Sequence, residues 1–344
     1  MNPGGLTDTL ARLAKGERLS RAQAHEAMNV IMSGTAKPAQ IGAFLMGLRL
    51  RGESAEEIAG AIDSLQAHAQ TVSVSRRPLI DTCGTGGDGC GTFNISTAAA
   101  FVVAGAGVAV AKHGNRSVSS RCGSADVLEA LGARVDLSPE GAAACLEATG
   151  MGFFFAPVHH SAVRHASEVR RELGIRTLFN LLGPLANPAG VTHQLVGVYD
   201  GALTETVAHV LQLLGREGAM VVHGGRGEDE ISLAGPTRVS ELRNGEVRTY
   251  TIDPSAFGAK TAELDALRGD DPSQNAALLR AVLAGHQGAP LEAVCVNAGA
   301  ALYVTEAEAS LADGYHAARR SIESGVATQV LDRFVAFTQS WTTD

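Results

Sequence analysis

The 344-residue chain is poor in charged residues (19%), contains no run of basic side chains, and has a formal net charge of −8. Nucleic-acid binding depends on neutralising phosphates, so this composition argues against an indiscriminate nucleic-acid-binding protein. No stretch of 18 apolar residues occurs, and the first residues, MNPGGLTDTLARLAKGE, lack the apolar core of a signal peptide. We therefore expect a cytoplasmic protein that does not span a membrane.

Cysteine is scarce and unpatterned, because the five residues form neither a CxxC pair nor a zinc-binding spacing. We expect reduced, small side chains in or near a core, as in proteins of a reducing compartment. Cys83 and Cys90 flank a glycine-rich segment, where oxidation could modify them, but their pattern does not indicate a catalytic role.

The length of the chain predicts two domains, and its first 70 residues read as helices only. Ser20 and Ser54 each begin a capping box, with Gln23 and Glu57 three residues later, and Pro38 suits the first turn of a helix. We assign residues 1–70 to a small helical domain. Residues 161–182 also read as helical, and we expect them to join that domain.

Residues 71–344 alternate between short apolar runs and helical stretches, which predicts a mostly parallel sheet covered by helices. A segment around Arg238–Ile252, with Asn244-Gly245 at its centre, reads as a β-hairpin. The predicted strands are LIDTC (79–83), VAVAKH (108–113), ARVDL (133–137), GFFFAP (152–157), HQLVGVY (193–199), AMVVHG (219–224) and EAVCVNA (292–298). The fold class is α/β, a small all-helical domain followed by a larger α/β domain.

The segment TCGTGGDGCGT (82–92) follows a predicted strand, precedes a predicted helix, and contains G-x-G-x-x-G at Gly84, Gly86 and Gly89. In a parallel sheet, ligands collect at the carboxyl ends of strands, where loop amides and a helix N-terminus bind anions. Asn94, Ser96 and Thr97 lie at that helix N-terminus with side chains able to bond phosphate or ribose oxygens.

The sequence around this glycine-rich segment does not match the two common nucleotide-binding motifs. A dinucleotide site needs an acidic residue at the end of the next strand, but that strand ends in Lys112 and His113. A Walker P-loop needs GK[ST] after the glycines, and none follows. The next loop, KHGNRSVSSRCGSAD, adds a cation and several hydroxyl and amide side chains. The two loops together indicate a phosphate-rich ligand.

Three long motifs carry a resemblance to a known family: GTGGDG with TFNIST, KHGNR-VSS-CGSADVLEALG, and VRRELGIRTLFNLLGPLANP. Together, and in this order, they closely resemble anthranilate phosphoribosyltransferase, an enzyme of tryptophan biosynthesis. The resemblance implies the fold shared with nucleoside phosphorylases, and usually a homodimer formed through the helical part. It implies transfer of phosphoribose from PRPP (5-phosphoribosyl 1-diphosphate) to the amine of anthranilate, releasing pyrophosphate, with two Mg²⁺ ions.

The resemblance also implies a role for residues in both loops and in HGGRGEDEIS. Ser96, Asp229 and Glu230 match metal ligands, and adjacent carboxylates suit Mg²⁺ that is also bound by substrate phosphates. Glu228 departs from the family, which usually has an apolar residue there, and we assign it no metal. The implied PRPP contacts are Gly84, Thr85, Gly86, Gly87, Asp88, Thr92, Asn94, Ser96, Thr97, Lys112, Ser119 and Ser120.

For the aromatic acceptor, Arg170 matches the residue that meets the anthranilate carboxylate, a suitable bidentate partner. Arg170 could instead pair with Glu168 or Glu172 on its own helix, and His160 could simply lie on the surface. The implied anthranilate contacts are Gly84, His113, Asn115, Pro157, His160 and Arg170.

The expected chemistry is displacement of pyrophosphate through an oxocarbenium-like state, with positioning and electrostatics rather than a strong acid or base. His113 is the candidate for a late proton acceptor. Two alternatives remain: a pyrimidine-nucleoside phosphorylase of the same fold, and a non-enzymatic relative that binds nucleic acid. The intact VRRELGIRTLFNLLGPLANP block argues against the first, and the acidic composition against the second.

Overall fold

The computed structural model describes residues 6–117 and 121–342, and its first region consists of helices. These helices are α1 (Thr7–Ala14), α2 (Arg21–Met32), α3 (Pro38–Arg51) and α4 (Ala55–Ala67). Their starts follow from the sequence: Ser20 and Ser54 form reciprocal capping boxes with Gln23 and Glu57, and Pro38 is the first residue of α3.

A seven-stranded sheet occupies the rest of the chain, in the order β3-β2-β1-β4-β5-β6-β7. The first five positions are parallel, and β6 and β7 extend the sheet as an antiparallel hairpin. The hairpin turns at Asn244-Gly245, both with positive φ, as predicted. The strands are β1 (Leu79–Gly84), β2 (Ala109–Gly114), β3 (Met151–Phe155), β4 (His193–Gly197), β5 (Gly218–Gly224), β6 (Thr237–Arg243) and β7 (Glu246–Ile252).

Helices cover both faces of this sheet. The helices that follow α4 are α5 (Ile95–Gly105), α6 (Ser124–Ala130), α7 (Pro139–Thr149), α8 (Ala156–His159), α9 (Arg164–Leu173), α10 (Phe179–Leu185), α11 (Thr204–Leu213), α12 (Pro272–Leu283), α13 (Ala289–Val304), α14 (Leu311–Glu323) and α15 (Val326–Ser340). The predicted α/β class is confirmed. No helix within the described residues is both long and apolar enough to cross a lipid bilayer.

Two predicted strands are wrong. Residues 292–298 (EAVCVNA) lie within α13, which is buried on nearly all sides, so its sequence has no polar face to mark the helical period. Residues 133–137 (ARVDL) form neither strand nor helix. Val135 and Leu137 are buried there, but Arg134 donates its amide to Thr338 Oγ1 of α15 rather than to a strand.

The segment 161–182 is broken into a 3₁₀ turn, α9, and the start of α10, with residues 174–178 between the helices. Helix α9 packs against α2 and α3, and α10 packs against α4. One hydrophobic core contains the N-terminal helices, α9, α10 and side chains from one face of β4 and β5, including Val196 and Val221. The other face of the sheet forms a second core with α5 and the C-terminal helices.

Candidate active site at the carboxyl edge of the sheet

The parallel strands β1, β2, β4 and β5 end at one edge of the sheet, which brings their following loops together. We call residues 84–92, between β1 and α5, the glycine loop, and Asp229 with Glu230, in the loop after β5, the acidic pair. Gly86 and Gly87 have φ of 65° and 69°, a conformation that side chains disfavour. A Cβ atom at Gly86 would meet nothing within 4 Å, so the loop leaves its backbone open to a ligand there.

The acidic pair contacts the glycine loop and the start of α5, although it is more than 130 residues away in sequence. Gly86 N–H donates to Asp229 Oδ2 (2.7 Å), and Ser96 N–H donates to Glu230 Oε1 (3.0 Å). Asp88 takes part too, accepting from the amides of Cys90 (3.1 Å) and Asp229 (3.3 Å). These contacts unite the predicted phosphate loop and the predicted metal ligands in one site.

Burial raises the pKa of both acidic-pair carboxyls, and neighbouring carboxylates add to it: Asp88 acts on Asp229, and Asp229 acts on Glu230. Lys112 opposes the shift at Glu230. A divalent cation would relieve this crowding of negative groups, so the pair fits Mg²⁺. Among the described residues, no three or more His, Cys, Asp or Glu side chains are arranged to share an ion. Further oxygen ligands must therefore come from elsewhere, and Ser96 lies beside Glu230 to supply a hydroxyl.

Glu228 is used differently from its two neighbours. It is 2% exposed, and its carboxylate accepts from Ser232 Oγ (2.5 Å) and from the Arg226 amide (3.0 Å). Both oxygens are thus engaged in holding the loop that carries the acidic pair. This agrees with leaving Glu228 out of the metal ligands.

Two glycines that face each other across β1 and β4 make room for the acidic pair. Gly84 pairs with Gly197, and a Cβ atom at Gly197 would overlap the backbone carbonyl of Asp229. A Cβ atom at Gly84 would meet the Asp229 carboxylate. Sequence reasoning missed Gly197, although a glycine near the end of an apolar strand signals a close approach of backbone.

Replacing Gly197 with alanine is expected to lower the free energy of unfolding by about 1–3 kcal/mol, because the loop carrying Asp229 must move. Chemical denaturation measures the loss. Gly235→Ala is the matched control, since a Cβ atom there would meet nothing within 4 Å. Equal stability of the two variants would mean that the loop accommodates the methyl group without cost.

Lys112 lies beneath the glycine loop and is 2% exposed. Its ammonium donates to Thr82 O (2.5 Å) and to Ser96 Oγ (3.4 Å). Burial raises the pKa of Asp81, one strand away, to about 6 while Lys112 opposes the shift. Asp81 also accepts from the His113 amide (3.2 Å), so it supports the end of β2. Sequence reasoning did not single out Asp81, whose signal was a lone charge inside an apolar strand.

His113 and His160 form the other side of the site, with ring centroids 5.2 Å apart. His113 Nδ1 donates to Gly183 O and His160 Nε2 donates to Ala186 O, each at 2.9 Å, so their other nitrogens are acceptors. Within the described chain, these acceptors, His113 Nε2 and His160 Nδ1, are buried and have no hydrogen-bond partner. His160 is 7% exposed, which rules out the surface alternative.

Both rings are neutral at pH 7. Burial lowers the pKa of His113 to about 3 and that of His160 to about 4. Repulsion from His160 lowers the pKa of His113 further, and repulsion from His159 lowers that of His160. A group with so low a pKa is a weak base. The site therefore offers two hydrogen-bond acceptors, and this environment disfavours His113 as the final proton acceptor.

Arg170 in α9 is half-buried, with its guanidinium 4.8 Å from the centroid of the Phe179 ring. Burial alone lowers its pKa, and no carboxylate of the described residues acts on it. The alternative pairing with Glu168 or Glu172 is thus not formed. An unpaired guanidinium on an aromatic face is a suitable partner for a carboxylate ligand.

The remaining predicted residues are distributed unevenly. Asn94 is engaged at both ends, donating to Cys122 O (3.2 Å) and accepting from Asn275 Nδ2 (3.0 Å). Thr97 is buried and Thr92 bridges to Arg268. Asn115 and Pro157 are exposed, and the Asn115 amide oxygen accepts from the next backbone N–H. Ser119 and Ser120 lie outside the described residues.

Acidification should destabilise the fold through His113. The unfolded ring has a pKa near 6.5, so below that pH the unfolded chain binds the proton first. The contribution of His113 to the free energy of unfolding is complete above about pH 6.5. It decreases by about 1.4 kcal/mol per pH unit as the pH falls towards 3. His113→Asn, which can still donate to Gly183 O, should flatten the slope by this amount in urea unfolding between about pH 4.5 and 6.5.

The exposed His286 provides the control, since His286→Asn should leave the pH slope unchanged. Asp81 contributes a trend of the opposite sign, because its raised pKa makes stability fall as pH rises towards 6. That trend is common to all three proteins and cancels in the comparison. An identical slope for His113→Asn and the parent would contradict the assignment.

Comparisons with known proteins agree over the whole length. Residues 7–69 match a family model described as the helical bundle domain of a glycosyl transferase family, and residues 76–328 match its a/b domain. The chain is 54% identical to anthranilate phosphoribosyltransferase of Moorella thermoacetica, covering 96% of this chain and 98% of that protein.

Solved structures show the same similarity. The anthranilate phosphoribosyltransferase of Thermus thermophilus is 45% identical, with a TM-score of 0.92 over 97% of this chain and 100% of that one. The Saccharomyces cerevisiae anthranilate phosphoribosyltransferase, solved with PRPP and Mg, is 29% identical, with a TM-score of 0.91 over 99% of both chains. The same yeast enzyme has been solved with 4-fluoroanthranilate (29% identity, TM-score 0.88, 98% of both chains).

Proposed function

Because this chain belongs to the anthranilate phosphoribosyltransferase family, we propose that it transfers the 5-phosphoribosyl group of PRPP to the amine of anthranilate. The products are N-(5-phosphoribosyl)anthranilate and pyrophosphate, in tryptophan biosynthesis. The observation that carries the proposal is the contact of Asp229 and Glu230 with the glycine loop and with the N-terminus of α5. That contact supports metal ligation next to a loop whose backbone suits phosphate.

The donor, PRPP, would lie along the carboxyl edge of the sheet. The open glycine-loop backbone and the N-terminus of α5 suit phosphate oxygens, and the buried Lys112 adds positive charge beneath them. The proposed donor contacts are Gly84, Thr85, Gly86, Gly87, Asp88, Thr92, Asn94, Ser96, Thr97, Lys112, Ser119 and Ser120. The yeast relative solved with PRPP and Mg supports this ligand.

Magnesium fits the acidic pair, and we propose two ions bound together with PRPP. Ser96, Asp229 and Glu230 would hold them, because Glu230 accepts from the Ser96 amide and the negative charge of Asp229 acts on Glu230, with Lys112 opposing that effect. Bound Mg²⁺ would neutralise charge on the departing diphosphate. The chain itself orients PRPP and screens its phosphates with Lys112.

Anthranilate carries a carboxylate beside an amine, and the acceptor side offers a partner for each. Arg170 has no carboxylate partner within residues 6–117 and 121–342 and would bind the anthranilate carboxylate. His113 Nε2 and His160 Nδ1 are unpartnered acceptors that suit the two N–H groups of the amine. Gly84, Asn115 and Pro157 complete the proposed pocket.

Transfer forms the bond between the ribose C1 and the amine nitrogen and breaks the bond between C1 and the diphosphate oxygen. Positive charge grows at C1, so negative groups and a well-aligned nucleophile favour the reaction. The aromatic amine is uncharged at pH 7 and needs no strong base before it attacks. The neutral histidines would orient it, and after the bond has formed the amine would lose its proton to water or to the released pyrophosphate.

We further propose a homodimer formed through the helical region, in the cytoplasm. The family resemblance is the basis for the dimer, and the five cysteines, none of which forms a disulfide, suit a reducing compartment. The helical domain would comprise residues 1–70 with helices from about 161–182, and the α/β domain residues 71–344. Light scattering coupled to size-exclusion chromatography distinguishes a monomer from a dimer.

The test of function is the loss of anthranilate fluorescence when the protein is mixed with PRPP, Mg²⁺ and anthranilate. Turnover should need all three, so omitting each in turn is the control. If folded protein leaves the fluorescence unchanged, anthranilate is not the acceptor substrate. Phosphate with pyrimidine nucleosides would then test the phosphorylase alternative, and a mobility-shift assay the nucleic-acid alternative, neither of which any structural observation favours.

A further inference from the structure

Arg176 connects the acceptor-binding helix to the glycine loop. It lies in residues 174–178, the short segment between α9, which carries Arg170, and α10, which carries Phe179. Its guanidinium Nη2 donates to Gly87 O of the glycine loop. The same guanidinium stacks on the ring of Tyr199, 4.0 Å from its centroid. One side chain therefore joins three separate parts of the chain.

Tyr199 is itself joined to the glycine loop. Its backbone amide donates to Thr85 Oγ1 (3.0 Å), and the Thr85 amide donates to Gly197 O (2.9 Å). Burial raises the pKa of the Tyr199 phenol, and Arg49 and Glu53 of the helical region are near enough to affect it. Tyr199 thus lies where the helical region, the glycine loop and the 174–178 segment meet.

The glycine loop is held by two contacts at adjacent residues. Asp229 accepts from the Gly86 amide, and Arg176 donates to the Gly87 carbonyl. The first contact belongs to the acidic pair. The second belongs to the chain segment that bears the acceptor-binding Arg170. Arg176 and the Tyr199 ring on which it stacks therefore provide a direct connection between that segment and the loop.

We propose that Arg176 and Tyr199 couple anthranilate binding at Arg170 to the conformation of the glycine loop. Both are positioning residues that touch neither substrate, and this inference rests on the proposed function. A ligand that immobilises Arg170 also immobilises the 174–178 segment, which favours the contact with Gly87. By linkage, PRPP bound to the loop strengthens anthranilate binding by the same factor.

The test is a double-mutant cycle with Arg176→Ala, Tyr199→Leu and the double variant. The coupling factor is the ratio of the anthranilate KM at low and at saturating PRPP. Each single variant should reduce that factor by about 3- to 10-fold, as expected for one cation–π contact with a charged hydrogen bond. The double variant should fall no further, because the two side chains act as a unit.

Hydrogen exchange provides a readout that does not depend on turnover. Anthranilate alone should slow exchange in residues 84–92 of the parent protein, and this protection should be lost in Arg176→Ala. Tyr199→Phe keeps the ring and should behave as the parent. Arg171→Ala, at an exposed position in α9, is the matched charge control.

Three results would contradict this coupling. They are additive effects in the double variant, no hydrogen-exchange protection of residues 84–92 by anthranilate in the parent, or a raised PRPP KM in Arg176→Ala alone. In the last case the PRPP KM rises in Arg176→Ala but is unchanged in Tyr199→Leu, which would mean that Arg176 binds a phosphate directly. Absence of turnover in the parent contradicts the proposed function instead, so the two failures are distinguishable.

Discussion

Replacement of Arg170 by alanine is expected to raise the KM for anthranilate by about 10- to 100-fold, with little change in the KM for PRPP. The guanidinium is half-buried on Phe179 and has no carboxylate partner in the described part of the chain, so it is available to bind the carboxylate of the acceptor. Losing a charged, bidentate contact in a partly desolvated site costs more than losing one at the surface. Steady-state kinetics with each substrate varied in turn measures the effect.

Arg171 provides a control of the same charge on the same helix. It is exposed, and Arg171→Ala should change neither KM. Arg170→Lys should recover only part of the affinity, because an ammonium cannot form the two parallel hydrogen bonds of a guanidinium. If Arg170→Ala raises the KM for PRPP instead, the arginine belongs to the donor side of the site.

Replacement of Glu230 by glutamine is expected to lower kcat/KM for PRPP on the order of 100-fold and to shift the Mg²⁺ requirement to higher concentration. Glutamine resembles the protonated carboxyl, which burial and Asp229 already favour, and its oxygen can still accept from Ser96 N–H. The fold should therefore survive while a charged oxygen ligand is lost. Initial rates across a Mg²⁺ titration measure both changes.

Glu228→Gln is the matched control, because it removes one charge from the same loop at a residue whose oxygens are engaged by Ser232 and Arg226. Its Mg²⁺ dependence should shift far less than that of Glu230→Gln. Similar shifts in the two variants would attribute the effect to the charge of the loop rather than to metal ligation. Thermal unfolding of each variant separates a local effect from loss of the fold.

Local signals were sufficient for most of the architecture. The capping boxes at Ser20 and Ser54, the Asn244-Gly245 turn, and five apolar strand runs depend on neighbours in sequence, so the sequence reveals them directly. The two segments wrongly predicted as strands have apolar patterns like those of true strands, and only their tertiary surroundings separate the two cases. Residues 292–298 resemble a strand in sequence because the helix that contains them is buried on nearly all sides and has no polar face.

By itself, the sequence determined the α/β class, the glycine loop, the acidic pair and the candidate Arg170, because each depends on residue types at short spacing or on long ordered motifs. Tertiary structure alone decided how these parts meet. Close approach of the Asp229 carboxylate and backbone requires Gly84 and Gly197 to lack side chains. Burial leaves one nitrogen of His113 and one of His160 without a partner among the residues that the structure describes. Both effects arise from packing between strands and loops far apart in the chain, so no local pattern contains them.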